Sequence, residues 1–134
     1  MYELVEEVVT VDDFIRLRDV SGLSPRPREA VEKGLPNSLY GVRVVHKNRT
    51  IGMGRVVGDG AINFEIVDVA VHPAHQRQGL GLRIMEAIMN YIDQNAYPGS
   101  YIDLMADIPE LYEKFGFKLT RPSSEGMFFQ KKDS

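Results

Sequence analysis

One stretch, residues 62–82, constrains the fold more than any other part of the chain. It contains an apolar, β-branched run, Ile66, Val67, Val69, Ala70 and Val71, that reads as a buried strand. His72-Pro73 stops the strand, because proline donates no ladder hydrogen bond. A polar turn containing Gly79 and Gly81 follows, and Leu82, Met85, Ile88, Met89 and Ile92 then recur at helical spacing. Strand, glycine loop and helix in that order aim consecutive backbone N–H groups at a phosphate, and the helix dipole adds attraction for negative charge. Gly79 and Gly81 lack a Cβ, so a bulky anion can approach their backbone closely. The expectation is a phosphate cradle. It is not the Walker loop, since no Gly-Lys-Ser/Thr closes it, and it lacks the three glycines of the dinucleotide fingerprint.

What stands in the cradle is Gln76-x-x-Gly79-x-Gly81, after a strand closing Val69-Ala70-Val71-x-Pro73. A second segment, Leu111-Tyr112-Glu113-Lys114-Phe115-Gly116-Phe117, lies downstream. Together they resemble the acyl-CoA pyrophosphate loop and the Tyr-x-x-x-Gly-Phe segment of the GNAT superfamily of N-acetyltransferases, in its small single-domain bacterial form. The resemblance spans roughly residues 39–131, and the first third fits in layout only. It implies an enzyme that moves an acetyl group from acetyl-CoA, as co-substrate, to a primary amine of a small molecule or peptide by direct attack, without a metal. It also implies that CoA contacts Val69, Ala70, Val71, Gln76, Arg77, Gln78, Gly79, Leu80, Gly81 and Leu82. The alternative from another class is a non-catalytic acyl-CoA-binding or sensing module. A homodimer is among the expected partners.

At 134 residues the chain reads as one domain, residues 1–134, long enough for a proper core. A net charge of −3 gives no bulk field to draw it to nucleic acid or an anionic membrane. With no cysteine there are no disulfides, thiolate nucleophiles or cysteine metal sites, which suits a reducing compartment. The N-terminus is acidic and short in apolar length, unlike a signal peptide, and no apolar run approaches the ~20 residues of a membrane helix. The expected location is cytoplasmic.

Along the chain, residues 2–9 read as an edge strand, and Thr10 caps a helix whose face carries Phe14, Leu17 and Val20. Gly22 ends that helix, and a second one runs over about residues 27–33. Residues 39–46 and 50–57 form a hairpin around Lys47-Asn48-Arg49, with Gly52 and Gly54 marking a bulge or a close backbone approach. Residues 101–105 and the pair 117–120 and 127–131 read as three more strands, with a short helix over 109–115. The expected fold is α/β (α+β), a mixed and mostly antiparallel twisted sheet of about six or seven strands with about four helices on both faces, which is also the GNAT order. In that family the central strand and the next one splay apart, and the pantetheine arm lies between them.

Acyl transfer to an amine needs a base for the amine, donors for an oxyanion and an acid for the departing sulfur. Tyr112 matches the family's thiolate-protonating tyrosine. Glu65 and Asp68 are carboxylates inside an apolar strand, where an unpartnered charge is costly. Alternation puts them on opposite faces unless a bulge intervenes. Glu65 stands where some GNAT enzymes carry a general-base glutamate, whereas Asp68 reads better as a salt-bridged structural acid. His72 and His75 read as loop residues near the CoA phosphates rather than a metal pair. Met105 and Asp107 stand near the place of a CoA-contacting asparagine common in the family. Arg16, Arg18, Arg26 and Arg28, among Asp12, Asp13 and Glu29, suggest an acceptor bearing a carboxylate, or else solvated helix faces.

Overall fold

The computed structural model describes residues 1–132 and divides into two compact units, Met1–Leu104 and Met105–Ser134. The first unit holds β1 (Glu3–Val5), α1 (Val11–Val20), α2 (Arg28–Gly34), β2 (Tyr40–His46), β3 (Arg49–Gly58), β4 (Asn63–Val71), α3 (Leu80–Asn95) and β5 (Tyr101–Asp103). The second holds α4 (Pro109–Glu113). The strands form one sheet in the order β1-β2-β3-β4-β5, antiparallel except for the parallel pair β4–β5. This is the expected mixed α/β architecture, with five strands among the described residues instead of six or seven.

Local chemistry sets the boundaries. Thr10 Oγ1 accepts from the Asp13 N–H at 3.2 Å and caps α1. Lys47 (φ 52°) and Asn48 (φ 63°) are both left-handed, the backbone of a primed two-residue turn that matches strand twist, and they close the β2–β3 hairpin. Asp59 Oδ1 accepts from the N–H groups of Ala61, Ile62 and Asn63 at 2.9, 2.9 and 3.1 Å, tying the β3–β4 turn.

Successive residues of β3 face opposite layers. Met53 joins Phe14 and Leu17 of α1 in one cluster with Ala70 of β4. Gly54 faces α3, where a Cβ would lie 2.7 Å from Ile84 Cγ2 and 3.0 Å from Ile88 Cδ1. Helices α1 and α3 therefore cover opposite faces, and Gly54 is the close approach expected at the paired glycines. The buried face of α3 is Leu80, Ile84, Met85, Ile88 and Ile92, so Leu82 and Met89 of the expected stripe lie at its margin. In α1 the third buried residue is Arg18 rather than Val20, which is exposed.

In the second unit α4 closes on its own backbone. Phe115 N–H and Phe117 N–H both donate to the Tyr112 carbonyl, at 2.9 and 3.3 Å, and Gly116 sits at φ 91°. That left-handed residue just past the helix explains the glycine of the Tyr-x-x-x-Gly-Phe segment. It turns Phe117 back so that its ring meets Tyr112 edge-on, centroids 6.4 Å apart. The two last strands are corrected. Residues 117–120 and 127–131 form no strand, although the turn between them is present, with Ser124 N–H donating to the Thr120 carbonyl at 3.0 Å. β-propensity registers how well a residue fits a pleated sheet, and without a ladder partner it does not make a strand. Met127, Phe128 and Phe129 are accordingly exposed.

Candidate active site

The register between β3 and β4 slips by one residue at the middle of the sheet. Arg55 pairs with Val67 and Met53 with Ala70, so Asp68 and Val69 oppose Gly54 alone. This is a β-bulge, and Asp68 takes a left-handed φ of 59° there. The bulge undoes the alternation. Asp68 turns onto the α1 face, which Glu65 shares through its pairing with Val57, two residues from Arg55. Arg18 donates from NH1 to Asp68 Oδ1 and Arg55 from Nε to Asp68 Oδ2, both at 2.6 Å. The two guanidinium carbons lie 5.6 and 5.7 Å from the centroid of the Phe14 ring. Asp68 is thus the salt-bridged acid expected, and its charge is compensated twice.

Glu65 has no such cation. It is exposed on this face, and partial desolvation, then repulsion from Asp103 and from Asp68, raises its pKa above the usual carboxylate value. Asp103 is its direct neighbour across the parallel β4–β5 ladder. That ladder covers only Asn63, Phe64 and Glu65, whereas β4 runs on to Val71. From Ile66 onward the β5-facing edge of β4 has no strand partner among the described residues, because β5 ends at Asp103.

The expected cradle follows β4 directly. A single 3-10 turn, Pro73–His75, starts at His72, whose Nδ1 accepts from the Ala74 N–H at 3.0 Å. Gln76 Nε2 donates to the Val71 carbonyl at 3.1 Å and pins the loop to the strand end. Arg77 at φ 65° and Gly79 at φ 74° then bend the chain into α3. A Cβ on Gly79 would meet no protein atom within 4 Å, so glycine answers here to backbone conformation and not to protein packing. No side chain caps α3, which leaves the first-turn N–H groups of Leu80, Gly81 and Leu82 without an intrahelical partner. Leu80 is buried and anchors the helix start, while Gln76, Arg77 and Gln78 are exposed. Donors at a helix N-terminus, beside two exposed amides and a guanidinium, suit a pyrophosphate.

All three histidines of the chain gather beside this loop. The His75 ring lies 5.1 Å from His46 and 5.7 Å from His72, and its Nδ1 is 2.9 Å from the Tyr2 hydroxyl. Slight desolvation, then the proximity of His46, His72 and Lys47, lowers the His75 pKa from its ordinary value. No cluster of three or more metal-ligating side chains stands among the described residues.

Tyr112, in α4 of the second unit, has its pKa raised by burial and then by Asp107, which keeps the phenol protonated. The first unit therefore brings together Glu65, Asp68 and the cradle, and Tyr112 belongs to the second. Sequence reasoning did not single out Arg55 or Asp103. The signal for Arg55 was available, since a charged residue inside a strand as apolar as β3 needs a partner, and Asp68 was its complement.

The family model described as Acetyltransferase (GNAT) domain matches residues 38–119. The crystal structure of SA2161 from meticillin-resistant Staphylococcus aureus, a protein of unknown function described as a probable acetyltransferase, is 47% identical with a TM-score of 0.92, covering 98% of this chain and 100% of that one. The histone acetyltransferase TAP1 of Glycine max is 31% identical over 132 residues, covering 90% of this chain and 57% of that protein, so this chain spans little more than half of its length. The uncharacterized N-acetyltransferase ycf52-like of Prochlorococcus marinus is 31% identical over 125 residues, covering 88% of this chain and 69% of that protein.

Proposed function

Since the chain belongs to the GNAT acetyltransferase family, we propose that it is an acetyl-CoA-dependent N-acetyltransferase acting on a primary amine. The observation that carries the reading is the uncapped start of α3 directly after the half-paired end of β4. The fit to acetyl-CoA rests on this chain's own groups. The N–H groups of Leu80, Gly81 and Leu82, with Gln76, Arg77 and Gln78, would hold the pyrophosphate. The open backbone edge at Val69, Ala70 and Val71 would hold the acyl arm by main-chain hydrogen bonds. Acetyl-CoA, when bound, supplies an acetyl group already activated as a thioester.

Glu65 then acts as general base. Its raised pKa strengthens it as a proton acceptor, and its exposure leaves it within reach of an acceptor ammonium. Tyr112 holds a proton at its phenol oxygen for the departing sulfur, a role consistent with a pKa raised by burial and Asp107. The absence of cysteine removes the most usual acyl-enzyme nucleophile, which favours direct attack by the amine. The named relatives include a histone acetyltransferase, which supports testing peptide as well as small-molecule amines as acceptors.

The reading is tested by calorimetric titration with acetyl-CoA and by thiol release across an amine panel. Acetyl-CoA binding with amine-dependent thiol release is expected, and binding with no release for any amine would turn the reading to a sensing module. Gly79→Val puts a β-branched side chain at a left-handed φ, a genuine steric outlier. CoA affinity should fall by at least about tenfold, the order of one lost strong contact. An unchanged affinity in a folded variant would remove the cradle from the site.

A further inference from the structure

The charge around Asp68 does not balance. Arg18 and Arg55 meet at Asp68, Arg26 joins Arg18 through Ser24, and Asp68 is the one carboxylate within ion-pair distance of any of the three among the described residues. Arg18 is only 6% exposed and sits deep in the cluster. Its Nε donates to the Ser24 carbonyl at 2.8 Å, and its NH2 donates to Ser24 Oγ at 3.2 Å. Arg26 donates to the same hydroxyl from NH1 at 2.6 Å, so one serine bridges two guanidiniums. Arg55, partly exposed, spends NH1 on Ser38 Oγ at 3.1 Å and Nε on Asp68. Its NH2 makes no hydrogen bond among the described residues, nor do the NH2 and Nε of Arg26. Desolvation lowers the Arg18 pKa most, Asp68 opposes it, and repulsion from Arg26 and Arg55 adds to the lowering.

Three guanidiniums around one carboxylate, with donors left over on Arg55 and on the exposed Arg26, are an arrangement that favours an anion. Its place narrows the anion further. Glu65 lies on the same sheet face as Arg55, one pair of residues along the ladder, about 7 Å by the strand rise. Two side chains converging from that spacing can grip the two ends of one small zwitterion. We propose that Arg26 and Arg55, backed by Arg18, bind the carboxylate of the acceptor, and that the acceptor is a free amino acid whose ammonium then faces Glu65. This rests on the acetyltransferase reading for its chemistry but not for its binding.

The test uses matched pairs, each of the common L-amino acids against its carboxamide, with the full chain. Thiol release from acetyl-CoA should favour the acid over the amide by at least about tenfold in kcat/KM for the preferred member. Arg26→Ala removes an exposed side chain and should fold, and it should erase most of that preference through KM while kcat stays near wild type. Arg55→Lys keeps a charge but not the fork, and should weaken the same preference. A second arm needs no turnover: NMR signals of the Arg18, Arg26 and Arg55 Nε–H groups are followed on titration with the same pairs. Shifts with the acids and not the amides support the site even where no acetyl transfer is detected, a result that would sink only the enzymatic reading. Equal rates and equal shifts for acid and amide overturn the proposal even where transfer is fast.

Discussion

Glu65 owes its character to its neighbours. Desolvation and the Asp103 and Asp68 carboxylates all raise its pKa, and no cation offsets them. A base must be ionised, so kcat/KM should rise with pH through a pKa displaced upward from that of an ordinary glutamate, ahead of the rise due to the acceptor ammonium. Glu65→Gln keeps shape and hydrogen bonding and cannot take a proton. At neutral pH it should lower kcat/KM by at least about tenfold, and the deficit should close at high pH where the amine arrives neutral. A pH profile equal to wild type would move the base elsewhere. Tyr112 is the complementary case, because its raised pKa holds the proton on the phenol. Tyr112→Phe should lower kcat by roughly 10²–10⁴-fold with little change in melting temperature. The residue types at both positions were legible in the sequence. The environment of Glu65 was not, since Asp103 becomes its neighbour only through a parallel ladder formed across the α3 crossover.

The bulge in β4 and the tight seat of α3 on β3 are one structural event seen from two faces. Gly54 stands alone opposite Asp68 and Val69, and it lets Ile84 and Ile88 approach the sheet. Gly54→Ala would place its Cβ 2.7 Å from Ile84 Cγ2, inside the contact limit. Overpacking of this kind costs about 1–3 kcal/mol. Urea unfolding should show that loss, and Ile84→Val in the same chain should recover part of it. A Gly54→Ala variant as stable as wild type would mean that α3 shifts freely. On the other face, Asp68→Asn tolerates the left-handed φ but removes the charge between the buried Arg18 and half-buried Arg55 guanidiniums. The expected cost is about 3–5 kcal/mol, the range for breaking a buried pair, read from the same denaturant curves. The sequence signalled this region through two glycines in a strand and a carboxylate in an apolar run. It did not signal the direction of Asp68, because a one-residue slip flips the face and no local pattern records where a slip occurs. The same limit explains residues 117–120 and 127–131, whose strand-like composition meets no ladder among the described residues.

At the scale of the whole chain, stability and chemistry are unevenly shared between the two units. Every buried hydrophobic residue of the core, from Val9 to Ile92, lies in Met1–Leu104, together with all five strands and the cradle. The second unit contributes no fully buried side chain among the described residues and instead carries Tyr112, with Met105, Ile108, Leu119, Met127, Phe128 and Phe129 exposed. A fragment ending at Leu104 keeps the sheet, both helical layers and the ion pairs of Asp68, so it should fold by itself with a cooperative unfolding transition. It should also bind CoA within roughly tenfold of the full chain, a difference of about 1.4 kcal/mol or less. Turnover is a different matter, because the proposed acid is gone. Thiol release should fall by at least the factor seen for Tyr112→Phe, and adding the phenol back by mutation elsewhere is not expected to restore it, since proton transfer demands position. Circular dichroism with denaturant, calorimetry with CoA, and the thiol assay on one preparation separate the three expectations. A fragment that fails to fold would show that residues 105–132 carry stability that their exposure hides. A folded fragment with full turnover would take the acid role away from Tyr112.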